Sequence, residues 1–270
     1  MALFNVKNRR KKYNTIYDYL EGFMSNLKRI LVIYVVLVVV VFINRELVFD
    51  DILLAPKNPE FISNRTFCEL GESTGIPDLC INPVNYQLYN FELSGQFSLH
   101  FMVSFIVALI LIFPYIIWEI KRFVTRVFGV EAGKKLGGAV LISSGLMIVG
   151  AAFSYFIIVP LTINFLYFYE VSAGVENYIS IRSYIGMVTT LVLIVGFTFQ
   201  LPLLAHILGK MGFLTRSFLK KYRRHALVIV AIVAAIITPP DVFSQILVTI
   251  PLYGLYEVSI LVLRKQKSNI

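Results

Sequence analysis

Charge is what this sequence has least of. Asp, Glu, Lys and Arg make up 15% of its 270 residues, where a soluble domain carries about 25%. Histidine is nearly absent: His100, His206 and His225 lie far apart, and no His-x-x-x-His pair occurs. Only two cysteines are present, Cys68 and Cys80, and they do not form a Cys-x-x-Cys. Close-set metal ligands are therefore not expected. There is no Gly-rich phosphate loop. The chain is read as a protein with no cofactor and no catalytic residues.

What fills the sequence instead is apolar. Hydrophobic residues make up 57%, and several runs approach the ~20 residues that cross a bilayer. The pattern predicts an all-α polytopic membrane protein with six transmembrane helices. The predicted spans are about 30–48, 94–118, 136–159, 183–208, 226–238 and 246–263. The start, residues 1–14, is basic and polar, a signal-anchor arrangement that keeps the N-terminus inside. From Ile16, apolar residues Ile16, Tyr19, Leu20, Phe23, Met24 and Leu27 mark one face of an amphipathic helix, expected in the membrane interface before the first span. This divides the chain into a basic tail (1–29), a six-span domain (30–263) with an outside loop at about 50–93, and a short tail (264–270).

The net charge of +9 does not point to nucleic acid. Twenty-one of the 25 basic residues fall in four clusters beside apolar runs: Lys7 to Arg29, Lys121 to Lys135, Lys210 to Arg224 and Arg264 to Lys267. Thirteen of the 16 acids fall between those clusters, and eleven of these, all but Glu119 and Glu257, lie away from the inner ends of the apolar runs. The positive-inside rule then puts both termini in the cytoplasm.

A few polar groups at membrane depth are the candidate functional residues. Thr238 and Gln245 flank a tight hairpin at Pro239, Pro240 and Asp241. Consecutive prolines cannot continue a helix, and the polar flanks suggest a surface that meets another chain. The plainer alternative is a turn with a solvated Asp. Glu257 lies within the last predicted span, and Gln200 precedes Pro202, which should bend the fourth. Ionisable groups in a bilayer default to a functional reading, although Glu257 could simply snorkel or pack against a partner. Glu119 closes the inner end of the second span. Glu131 is the one acid inside the basic segment from Lys121 to Lys135. It could pair with its neighbours or receive a cationic ligand. Cys68 and Cys80 lie in the outside loop, an oxidising setting that favours a disulfide, the alternative being two free buried thiols.

The stretch Thr238-Pro-Pro-Asp-Val-Phe-Ser-Gln245, with Ile250-Pro251 and Tyr256-Glu257, resembles the C-terminal signature of the TatC family. That family is the core of the twin-arginine protein translocase. Phe101-Met-Val-Ser104 with Pro114, Phe153-Ser-Tyr-Phe156 with Pro160, and Phe199-Gln-Leu-Pro202 are similar to its second, third and fourth helices. The resemblance implies export of folded proteins across a bacterial plasma (inner) membrane, driven by the proton gradient. It implies binding of twin-arginine signal peptides, recruitment of TatA and, where present, TatB, self-association, and contact with membrane lipids. The family's inner-loop Glu falls on Glu131. Its tail pattern, His-Leu-x-Glu-Leu-Arg, is not kept. One register puts Gly22 at the Glu position with Glu21 beside it, and another puts Asn26-Leu27-Lys28 over Glu-Leu-Arg. The family's partner-helix positions fall on Thr238 and Gln245. The rival reading is a proton-coupled secondary transporter with Gln200 and Glu257 as midplane sites, against which stands the lack of an internal repeat.

Overall fold

The structure, a computed structural model, describes residues 16–75, 81, 87–128, 138–169, 172, 178–210, 212–238 and 242–263. Its helices are α1 (Ile16–Ile43), α2 (Ile62–Thr74), α3 (Gly95–Phe128), α4 (Ala139–Phe153), α5 (Val159–Phe168) and α6 (Ile181–Thr198). They continue with α7 (Leu201–Lys210), α8 (Arg216–Lys221), α9 (Arg223–Ile237) and α10 (Val242–Val262). Strands β1 (Leu88–Tyr89) and β2 (Ile179–Ser180) pair in parallel, Leu88 opposite Ile179. The architecture is all-α and polytopic. Val and Ile, strand formers in water, are helical here because in lipid a segment must close its own backbone hydrogen bonds.

Five helical stretches are long and apolar enough to span a bilayer: 20–43, 95–127, 139–168, 181–209 and 242–262. The predicted fifth span corresponds to α9, whose 15 residues rise only ~22 Å. It stops at Thr238, which turns extended just ahead of the two prolines.

Several boundaries differ from the sequence reading, each for a local reason. The expected interface helix and the first span form one continuous α1 of 28 residues. No proline lies between Ile16 and Ile43, so nothing breaks the ladder. Pro114 does not end its helix either, and α3 runs on to Phe128. The fourth span does break, at Phe199–Gln200, and restarts as α7 with Pro202 in the first turn, where its missing N–H is no loss. The third is widened by a π turn at Ser154–Ile158 ahead of Pro160.

α6 is the hub. It packs on α3, α4, α5, α9 and α10, and Ile185, Val188, Leu191 and Val195 are fully buried in it. The break after α6 lies against α4: a Cβ on Gly150 would come within 2.7 Å of the Phe199 ring, so only glycine fits there without a shift. At the acidic end, Tyr155 and Tyr184 donate hydroxyl bonds to the carbonyls of Ile52 (2.6 Å) and Leu53 (3.2 Å). These hold the segment after α1 against the bundle.

Candidate functional site

A buried polar cluster lies at the basic end, where α1 meets α3. Glu119 is completely buried. Tyr115, one turn earlier on the same helix face, donates its hydroxyl to Glu119 Oε1 at 2.9 Å. Arg122, one turn later, lies 3.6 Å from that oxygen, and its guanidinium sits 5.6 Å from the Trp118 ring centre. Arg29 of α1 lies 3.6 Å from Oε2. Oε2 itself accepts no hydrogen bond. Buried Asn26 accepts from the Arg29 guanidinium through Oδ1, while its Nδ2 has no partner.

A buried charge is costly unless paired. Here one carboxylate faces two guanidinium groups, each about 40% exposed (36% and 45%). Neither is within ordinary hydrogen-bond reach. The cluster is thus electrically paired but incompletely bonded, and it carries one excess positive charge.

The other sequence candidates sort as follows. Glu21 is on an exposed stretch of α1; Asn26, the alternative register for the family's tail acid, is the residue next to Arg29 and Glu119. Glu131 lies outside the described residues, as do Pro239, Pro240, Asp241 and Cys80. Cys68 is disulfide-bonded and not a free thiol. Thr238 is buried and returns its hydroxyl to Ala234 O at 2.9 Å on its own helix. Gln245 Nε2 donates across the hairpin to Ala231 O at 3.1 Å. These two donors tie α9 to itself and to α10.

Gln200 is occupied from two directions. Ser143 Oγ donates to its Oε1 at 2.7 Å, and its Nε2 donates to Ser143 O at 3.2 Å. Glu257 pairs with Arg223 at 2.7 Å and accepts from Tyr253 at 3.2 Å. Both residues of the transporter reading are thus engaged in joining helices. Gly71-Glu-Ser-Thr-Gly75 spells the Gly-x-Ser-x-Gly of hydrolase elbows. It is the last turn of α2, with Ser73 Oγ bonded to Leu70 O at 3.0 Å and no strand before it, so it lacks the strand-turn-helix that exposes a nucleophile. The sequence reading had Glu119 but not its partners. Tyr115 and Arg122 were legible at i−4 and i+3; Arg29, on another helix, was not.

Residues 18–251 match the sequence model of the family described as Sec-independent protein translocase protein (TatC). A TatC from Blattabacterium sp. subsp. Periplaneta americana is 32% identical over 257 residues, covering 94% of this chain and 96% of its own. The chain belongs to the TatC family. A Helicobacter pylori TatC is 41% identical over a shorter 160 residues, 59% of this chain and 63% of that one. A crystal structure of the twin arginine translocase receptor TatC superposes with TM-score 0.69 at 27% identity, covering 90% of this chain and 97% of that one. A TatC structure obtained in DDM gives 0.71 at 25% identity. As a TatC, the chain is a component of the Sec-independent protein translocase, a multi-pass inner-membrane protein and not an enzyme.

Proposed function

We propose that this TatC is the receptor subunit that binds twin-arginine signal peptides at its basic end and recruits TatA, and TatB where one exists. Likeness to the solved twin arginine translocase receptor over nine-tenths of the chain carries the reading. The chemistry of the basic end supports it, since a carboxylate there already holds two guanidinium groups loosely. Glu131, twelve residues after Glu119, is the proposed acceptor for one leader arginine. Asn26 can accept a hydrogen bond but cannot neutralise charge, so the second acid falls to Glu21. Thr238 and Gln245 are the proposed meeting points for a single-span partner helix, and the proton gradient drives transport.

The test is photo-crosslinking of a twin-arginine leader peptide to the full-length protein in membranes. The wild type is expected to crosslink, and replacing both leader arginines by lysine should abolish this. Glu131→Ala should weaken it about tenfold or more, the scale of a charge-assisted hydrogen bond. Unchanged crosslinking in Glu131→Ala removes that residue from the site. No crosslinking to the wild type sinks the receptor reading.

A further inference from the structure

Between Glu176 and Asp241 the sequence holds no acid at all. Five of its seven Lys and Arg residues gather at α8 and the start of α9: Arg216, Lys220, Lys221, Arg223 and Arg224. Arg223 is neutralised by Glu257. The other four pair with no carboxylate among the described residues. Arg216 Nε is buried and has no hydrogen-bond partner.

Aromatic side chains are interleaved with these cations. Phe213 is 75% exposed and Phe218 51%. Phe218 packs on Tyr222 with ring centres 4.6 Å apart, and Lys221 lies 6.0 Å from the centre of the Tyr222 ring. The segment is fixed in place. Thr215 caps α8 by accepting from Phe218 N at 3.2 Å, and Tyr256 of α10 donates to Leu219 O at 2.7 Å.

At about 100° per residue, α8 has three sides. Leu219 meets α10, Phe218 faces away from Arg216, and Arg216 and Lys220 share the third side. Exposed apolar residues continue directly onto α9 at Leu227, Val228 and Ile229, a helix side that lipid tails cover in a bilayer. An aromatic side continuous with lipid-facing residues, next to unpaired cations, fits the headgroup layer of an anionic leaflet.

We infer that α8 and the start of α9 form a binding site for anionic phospholipid. Arg216, Lys220, Lys221 and Arg224 hold the phosphate, while Phe213, Phe218 and Tyr222 lie at the level of the glycerol and upper chain. The site is independent of the leader-binding reading, and either can fail alone.

The test titrates the detergent-solubilised full-length protein with short-chain phosphatidylglycerol, phosphatidylcholine or inorganic phosphate, counting bound lipid by native mass spectrometry. Phosphatidylglycerol should bind at least ~10-fold more tightly than phosphatidylcholine, at roughly fivefold per basic residue near the surface. R216Q/K220Q/K221Q/R224Q should remove that preference, whereas the same four substitutions at Arg9, Arg10, Lys11 and Lys12 should leave it. A second variant, K220Q/R224Q, changes two exposed side chains and should lose about tenfold with an unchanged Tm. Equal binding of both lipids, equal loss in the tail variant, or full competition by millimolar phosphate would each overturn the lipid assignment. So would an acidic peptide that displaces phosphatidylglycerol.

Discussion

Ser143 and Gln200 are joined by two hydrogen bonds, hydroxyl to amide oxygen and amide nitrogen to main-chain carbonyl. They clamp α4 to the break between α6 and α7. Gln200 is therefore a structural residue of the interrupted helix. Ser143→Ala leaves its amide oxygen unpaired and should cost about 1–3 kcal/mol. Gln200→Leu should cost a similar amount by stranding the Ser143 hydroxyl. Thermal unfolding in detergent measures both. If Gln200→Leu stopped export while the protein melted normally, the residue would have a role in transport that this pairing does not supply.

Glu119 should couple energetically to Arg29. Glu119→Gln leaves Arg29 and Arg122 facing each other without an anion, so it should lower the melting temperature. The arginines are more than a third exposed, which screens the effect to about 1–2 kcal/mol. A double-mutant cycle with Arg29→Gln should return a coupling of about 1 kcal/mol. Strict additivity would mean that the 3.6 Å contact contributes nothing.

The hairpin donors should contribute unequally to partner association. The Thr238 hydroxyl is spent on Ala234 O, whereas the Gln245 side-chain oxygen has no bond partner among the described residues. Gln245→Leu should therefore reduce co-purification of TatA more than Thr238→Val, by roughly the ~1–2 kcal/mol of one hydrogen bond in lipid. Undiminished co-purification in the double variant would move the partner surface elsewhere.

Cys68 and Cys80 should be linked to each other. Alkylation of the unreduced protein followed by mass spectrometry should find no modified cysteine, and reduction should reveal two. Because the closed loop is short, Cys68→Ser should cost about 2–3 kcal/mol of local order, read as faster hydrogen exchange in α2. Two alkylatable thiols without reductant would rule the bridge out.

The membrane class was legible because apolar runs and charge segregation are properties of sequence segments alone. The break at Phe199–Gln200 could be read from Pro202. Pro114 lies inside α3, where packing against α1, α4 and α6 carries a proline that would end an unsupported helix. At the site, Glu119 stood out by its depth, but its pairing with Arg29 depends on how α1 crosses α3, and no local pattern encodes that. Gln200 and Glu257 looked available for transport for the same reason. Their partners, Ser143 and Arg223, lie 57 and 34 residues away.

The short β1–β2 pairing and the Arg182–Glu92 ion pair join the chain just before α3 to the first turn of α6 and the residues leading into it. The acidic end of these two long helices is in effect buttoned shut. Any parting of α3 from α6 must begin at the opposite mouth, like a clothes-peg pressed from its free arms. That opposite mouth is itself latched, since the rings of Phe113 on α3 and Phe197 on α6 meet edge to face at 5.3 Å.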